Sequence, residues 1–391
     1  MSSQRTPDVE WEMAFVLPNL RLDPEADDPW VPQIDLGLDE IAIVSPRDER
    51  VQAFTQRFPE TGPFLASFRD EQGEQVEPAV LVVRRDVVER MGRTLSPLVS
   101  FRNAAALAHL LLGRTREING NRWSVARWSD SFDFHPASID LAGSLTLITP
   151  AVLSFSLEAK HYNATPSPGI PEVGPRLFSD GYLARALGAE WRRRFVIRRR
   201  DDSFGRVLFR SLELAYMASA TPLKNQASLH DLGSLVSLWI SALEILAHPG
   251  PGAIVHQTHV IDLLAGYEWH HNVLRAPRYV IRLGKKRRLK GTAIQRAANH
   301  LYAARNRFLH GEPVSQDLLQ PVLGKQRVAL LDVAPLVYRA ALEGYLLSRH
   351  PRSGSFSDAP DSFFELTLRE EYDQAMLRLM GYAGRRHRRK P

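Results

Sequence analysis

Between Thr292 and Gly311 the chain carries a helix with both of its ends written into the residues. Thr292 followed three residues later by Gln295 is a capping-box pattern, in which each side chain satisfies the other's free backbone donor. Ile294, Ala298, Leu301, Arg305 and Phe308 then recur at three- and four-residue steps, the repeat of one helix face. Gly311 suits the left-handed residue that closes a helix, and Pro313 forbids its continuation. At about 100° per residue, Ile294, Leu301 and Phe308 share an apolar stripe, and Arg305 falls inside it. A guanidinium in that position needs a partner. Asn306 and His310, four residues apart, sit one above the other on the neighbouring face. The terminus therefore gathers a permanent cation, an amide and an imidazole. Two readings stay open at this point: a reactive group, or a structural terminus in which His310 complements the helix dipole and Arg305 pairs with a buried carboxylate such as Glu244 or Glu343.

The flanking sequence predicts more helices. Residues 207–219 and 229–247 have the helical repeat, the second with Leu232, Val236, Trp239, Leu243 and Leu246 as its stripe. Further helices are expected over 253–269 and 333–348, where Pro335 is tolerated in a first turn. A unit of about five helices, with Arg-Asn-x3-His ending the fourth, resembles the HEPN superfamily (higher eukaryotes and prokaryotes nucleotide-binding), in particular its ApeA-like branch. The segments that carry the resemblance are SLWISALEILAHPG at 237–250 and LYAARNRFLHGEPV at 301–314, within residues 200–350. The resemblance implies an all-α HEPN-like helical bundle and a metal-independent endoribonuclease that serves as a toxin or antiviral defence effector. Arg305, Asn306 and His310 would be its catalytic residues. It also implies a homodimer through the helical domain, in which two motifs face each other, because one such helix supplies a single imidazole. The alternative within the same family is a non-catalytic module that binds nucleic acid or a partner protein.

The chemistry is sound without the family. RNA cleavage by its own 2′-hydroxyl needs a proton acceptor, a proton donor and a cation for the charge on the phosphorane. Histidine titrates near neutrality, and arginine holds phosphate oxygens bidentately. No metal or cofactor is called for. Histidines 256, 259, 270 and 271 lack an acidic partner at helical spacing, and no glycine-rich phosphate loop or dinucleotide fingerprint occurs.

Charge is divided unevenly along the chain. Residues 1–190 hold 18 Lys and Arg against 27 Asp and Glu, a net of −9; the remainder holds 32 against 17, a net of +15. The basic half is the polyanion-binding candidate, with RNA as the expected partner. Its cations are concentrated in Arg192, Arg193, Arg194, Arg198, Arg199 and Arg200, in Lys285, Lys286, Arg287, Arg288 and Lys290, and in a tail over 385–390. Phosphate contacts by such residues carry most nonspecific nucleic-acid affinity.

The chain has no cysteine, which excludes disulfides and thiolate chemistry. It shows neither a signal peptide nor an uninterrupted apolar run of membrane length, so a cytoplasmic protein with no membrane partner is expected. Residues 1–165 read as an α+β N-terminal domain, rich in strands, with a sensing or regulatory role. Strand-forming residues occur at 12–22, 79–84 and 145–157, with a short helix at 102–112. A proline-rich linker and a connecting helix occupy 166–200, the helical domain 201–350, and a C-terminal helix with a basic tail 351–391. Trp123, Trp128, Phe132, Phe134 and His135 form an aromatic cluster that reads as core, with base stacking as the less economical option.

Overall fold

The computed structural model describes residues 10–20, 22, 33–70, 73–92, 94–120, 130–135, 137–139, 145–147, 163–164, 179–198, 202–221, 228–250, 252–283, 287–351 and 360–382. The chain divides into two compact units, neither continuous in sequence. Unit 1 takes Met1–Ala106, Asp130–Phe178 and Leu187–Asp201; unit 2 takes Leu107–Ser129, Ser179–Ala186 and Asp202–Pro391. The boundary expected near residue 165 lies outside the described residues, as do Trp123, Trp128 and the basic tail.

Unit 1 is built on an antiparallel sheet. Its elements are β1 (Trp11–Leu17), β2 (Gln33–Ile34), β3 (Ile41–Val44), α1 (Glu49–Arg57), α2 (Thr61–Leu65), β4 (Arg69–Asp70), β5 (Ala79–Arg84), α3 (Arg85–Met91) and the start of α4 (Leu95–Gly120). The strands β6 (Ala137–Ile139), β7 (Leu145–Leu147) and β8 (Asn163–Ala164) follow. The sheet order is β2-β3-β5-β1-β6-β7, while β4 and β8 form a separate two-residue parallel pair. The central strands are continuous runs of β-branched and apolar residues, IAIV in β3 and AVLVVR in β5, because both of their faces are covered. On one face Val44, Val80 and Val82 pack with Val51 and Phe54 of α1 and Phe64 of α2. Each such side chain contributes about 1.5–3 kcal/mol when fully buried. Asp48 caps α1 by accepting from the Arg50 amide. The described part of the aromatic cluster is core, as read: Phe134 stacks on Phe15 at 4.4 Å, and His135, 5% exposed, meets Phe64 and Phe68 edge-on.

Helix α5 (Gly181–Trp191) runs into a π-helical turn over Arg192–Val196. Unit 2 then comprises α6 (Ser203–Ala220), α7 (Leu229–Leu246), α8 (Gln257–Ala265), α9 (Asn272–Arg275), β9 (Tyr279–Leu283), β10 (Arg287–Gly291), α10 (Ala293–Leu309), α11 (Gln316–Leu319), β11 (Val322–Leu323), β12 (Gln326–Arg327), α12 (Leu330–Leu347) and α13 (Pro360–Leu379). Helix α7 packs against α6, α12 and α10, and α12 also against α8. The expected stripe is buried at Val236, Trp239, Leu243 and Leu246. Helix α12 begins at Leu330 rather than at residue 333, so Pro335 lies inside it, beyond the first turn expected for it.

Three further expectations are corrected by the structure. The helix expected over 253–269 is confined to Gln257–Ala265, because Gly250 and Gly252 adopt positive φ and His256 is extended at the N-cap. The helix expected over 102–112 is the middle of the much longer α4. The second unit is mostly helical but not all-α, since β9–β10 and β11–β12 are antiparallel ribbons. Pro277 blocks extension of α9, and along β9 burial alternates with a period of two, Ile281 and Leu283 inward and Val280 and Arg282 outward.

Deep in unit 2 lies a charged cluster. The Arg339 guanidinium, 2% exposed, pairs with Asp180 at 2.9 Å and with Glu343, and lies 4.0 Å from the Tyr372 ring. Arg369 of α13 reaches the same Glu343 at 3.5 Å. Arg116 and Asn119, at the end of α4, bond Glu371 of α13. Helices α4 and α7 are both long and apolar enough to cross a membrane by composition. Phe101, Leu107 and Leu111 of α4 are buried, as are Val236, Trp239 and Ile240 of α7. Charges within each, such as Arg102 and Arg114 or Asp231 and Glu244, interrupt the apolar pattern.

Candidate active site

Helix α10 begins and ends where its residues specify. Thr292 Oγ1 accepts from the Gln295 amide, and Gln295 Oε1 accepts from the Thr292 amide. At the other end His310 is the C-cap. Gly311 takes φ +67°, its amide donates to the Phe308 carbonyl, and the Glu312 amide donates to the Arg307 carbonyl. This is the paired bonding of a Schellman ending, which a residue with a Cβ would adopt only under strain.

The ending sets out the three motif residues. Asn306 and His310 are exposed, and the His310 amide donates to the Asn306 carbonyl at 3.0 Å. Arg305 is half-buried between α10 and α7. Its Nη2 donates to Glu244 Oε2 at 3.4 Å and its Nη1 to Asn306 Oδ1 at 3.2 Å. Glu244 is thus the partner that an arginine on the stripe requires, while Glu343 belongs to the Arg339 cluster. Both Arg305 contacts are longer than the 2.7–2.9 Å usual for charge-assisted bonds, and its Nε is buried without a hydrogen-bond partner. The guanidinium has five N–H donors, so most of its donor capacity is uncommitted.

Neighbours on α10 itself and on α7 complete the picture. The Tyr302 hydroxyl is buried without a partner of suitable geometry. Burial, and then the nearby Glu244 carboxylate, hold it well above the ordinary phenol range, so it stays protonated. Gly233 leaves the space that Phe308 fills: a Cβ at 233 would stand 2.5 Å from Phe308 Cδ2. The ring of His230, exposed on the first turn of α7, meets Phe308 edge-on at 5.8 Å. His230 is therefore a second imidazole at this end of the unit. Sequence reading missed it because it is far away along the chain, and only the α7–α10 packing brings it near.

The other basic candidates fall into distinct settings. Arg192 pairs with Glu40 at 2.5 Å, Arg193 approaches Glu190 at 3.9 Å, and Arg194 lies over Phe195. These residues belong to unit 1, whereas Arg305, Asn306 and His310 belong to unit 2. Arg198 is exposed with φ +52°, and Arg199 lies outside the described residues. Lys285 and Lys286 also lie outside them, whereas Arg287 and Arg288 are exposed on β10.

Among the described residues no three of His, Asp and Glu are gathered as metal ligands. The four candidate histidines have local roles instead. His259 Nδ1 accepts from the His256 amide, His271 Nδ1 accepts from the Val273 amide at the start of α9, and His270 Nε2 faces Arg369. Comparison of the chain with protein-family models, curated proteins and solved structures gives no match in any of the three.

Proposed function

We propose that the chain is a metal-independent endoribonuclease of the HEPN kind, acting in the cytoplasm as a toxin or antiviral effector. The observation that carries this reading is the loosely held Arg305 guanidinium, with spare donors, beside exposed Asn306 and His310. In the reaction the RNA 2′-hydroxyl attacks the adjacent phosphorus and the 5′-oxygen leaves. A 2′,3′-cyclic phosphate and a 5′-hydroxyl result. His310 acts as base toward the 2′-hydroxyl or as acid toward the leaving oxygen. Arg305 offsets the charge that grows on the phosphorane oxygens, and Asn306 orients a phosphate oxygen. The second proton carrier comes from His310 of a second copy, in a homodimer through the helical unit, or from His230.

A second reading, a non-catalytic module that binds nucleic acid or a partner protein, is favoured by the Arg305–Glu244 ion pair, which gives the arginine a structural role. Incubating the purified full chain with RNA in excess EDTA separates the two. Cleavage that Arg305→Ala and His310→Ala each abolish, with folding retained, supports the nuclease. Absence of wild-type cleavage, together with lowered thermal stability of both variants, supports the module.

A further inference from the structure

The β9–β10 ribbon concentrates positive charge in a way that folding alone does not favour. Ile281 and Leu283 are buried on one face, while the other presents Val280, Arg282, Arg288 and Lys290 to solvent. Arg288 stands directly opposite Arg282, and Lys290 opposite Val280. Like charges at directly paired positions are destabilising, with Cβ atoms only about 5 Å apart. Among the described residues none of Arg282, Arg287, Arg288 and Lys290 has an acidic partner. The ribbon is nonetheless firmly held: Arg296 Nη1 donates to the Val280 carbonyl at 2.8 Å, and Gly291 lets Ile281 pack close. Burial, and then the charge of Arg282, depress the Arg296 basicity. Arg296 therefore experiences the same uncompensated field.

We infer that this ribbon is a docking surface for the phosphate backbone of single-stranded RNA. Arg282 and Arg288 lie side by side, and Lys290 stands about 7 Å further along the strand, so the three cations form a short row on one face. Arginine forks hold phosphate oxygens bidentately, and no acid on the face competes. A membrane surface fits less well, because Val280 is the single apolar side chain on that face, whereas interfacial binding needs a broad apolar area. A row of cations that tracks one backbone is how single strands are held without base readout.

The inference rests on the reading of RNA as the substrate and adds where the strand is held. The ribbon leads directly into the first turn of α10, and the Arg305–His310 motif lies at the other end, about 25 Å away along the helix axis. The strand is thus gripped several nucleotides from the proposed cut.

The test measures binding of the full chain to a fluorescent 2′-O-methyl oligouridine, which lacks the attacking hydroxyl and cannot be cut by this chemistry. Binding can then succeed or fail independently of the nuclease reading. The triple variant Arg282→Ala, Arg288→Ala, Lys290→Ala should bind roughly a hundred-fold more weakly near 0.1 M salt, and the slope of log K against log salt should flatten by about 2. Arg282→Lys with Arg288→Lys should keep the salt slope, and a circular-dichroism melt should show all variants folded. Unchanged affinity of a folded triple variant overturns the inference. So does a lysine double variant as weak as the triple one. Wild-type binding to phosphatidylserine vesicles, lost in the triple variant while oligouridine binding persists, would transfer the surface to membranes and overturn it equally.

Discussion

Replacing Gly233 by alanine tests whether the α7–α10 contact positions the motif. In an exposed helix this change stabilises by about 1 kcal/mol, because alanine loses less backbone freedom. Here the new Cβ would stand 2.5, 2.7 and 3.0 Å from Phe308 Cδ2, Cγ and Cε2. Ordinary carbon contacts are about 3.5–4.0 Å, so the overlap reaches about 1 Å. Overpacking of this kind costs about 1–3 kcal/mol, which outweighs the propensity gain. A net loss of up to about 2 kcal/mol is expected, with Phe308 and the last turn of α10 pushed outward. In a Phe308→Ala background the obstacle is gone, and Gly233→Ala should stabilise by about 1 kcal/mol. The sign therefore reverses between backgrounds, a coupling of about 1–3 kcal/mol in a double-mutant cycle. Thermal denaturation of the four proteins reads it, at about 2–4 °C per kcal/mol for a unit of this size. A higher melting temperature for Gly233→Ala alone, or an equal shift with and without Phe308, would refute the reasoning.

Burial, reinforced by Arg296, holds the His300 imidazole down at about 4, below its ordinary 6.5. The unfolded chain therefore binds the extra proton, and His300 contributes stability that is complete above about 6.5 and lost as pH falls toward 4, up to about 3 kcal/mol. Urea unfolding at stepped pH should show wild type losing this increment and His300→Gln not; parallel curves would exclude it. Arg339→Ala leaves Asp180 and Glu343 buried without their cation, and should cost about 3–5 kcal/mol in denaturant unfolding. A loss below about 1 kcal/mol would contradict this account of the cluster. A chain begun at residue 176 lacks Leu107–Gly120, and with it the Arg116 and Asn119 bonds to Glu371. Its helical unit should melt below that of the full chain in calorimetry, and an unchanged transition would show that those residues are dispensable.

Local sequence was sufficient for α10. Its N-cap, its repeat and its Gly311 ending act within a few residues of one another, so Thr292, Gln295, Arg305, Asn306 and His310 could be placed without tertiary information. The same holds for α6, α7 and α12, whose periodic stripes are long, and for the strand character of β1 and β5. The ribbon β9–β10 was hidden because its most conspicuous property is charge: KKRRLK reads as a solvated run until Ile281 and Leu283 find α10 to pack against. Short strands lack the length to announce themselves and depend on a partner surface.

What only the tertiary structure decided are the partners of the charges. Sequence named Glu244 and Glu343 as equal candidates for Arg305; the crossing of α7 and α10 selects Glu244, and the packing of α12 commits Glu343 to Arg339. It likewise engages Arg192 with Glu40 and, among the described residues, leaves Arg282 and Arg288 without acids. Ion pairing is set by distances between segments remote in sequence, and no local repeat encodes those distances. Helix ends, by contrast, are satisfied by atoms three or four residues away, which is why the chain states them openly.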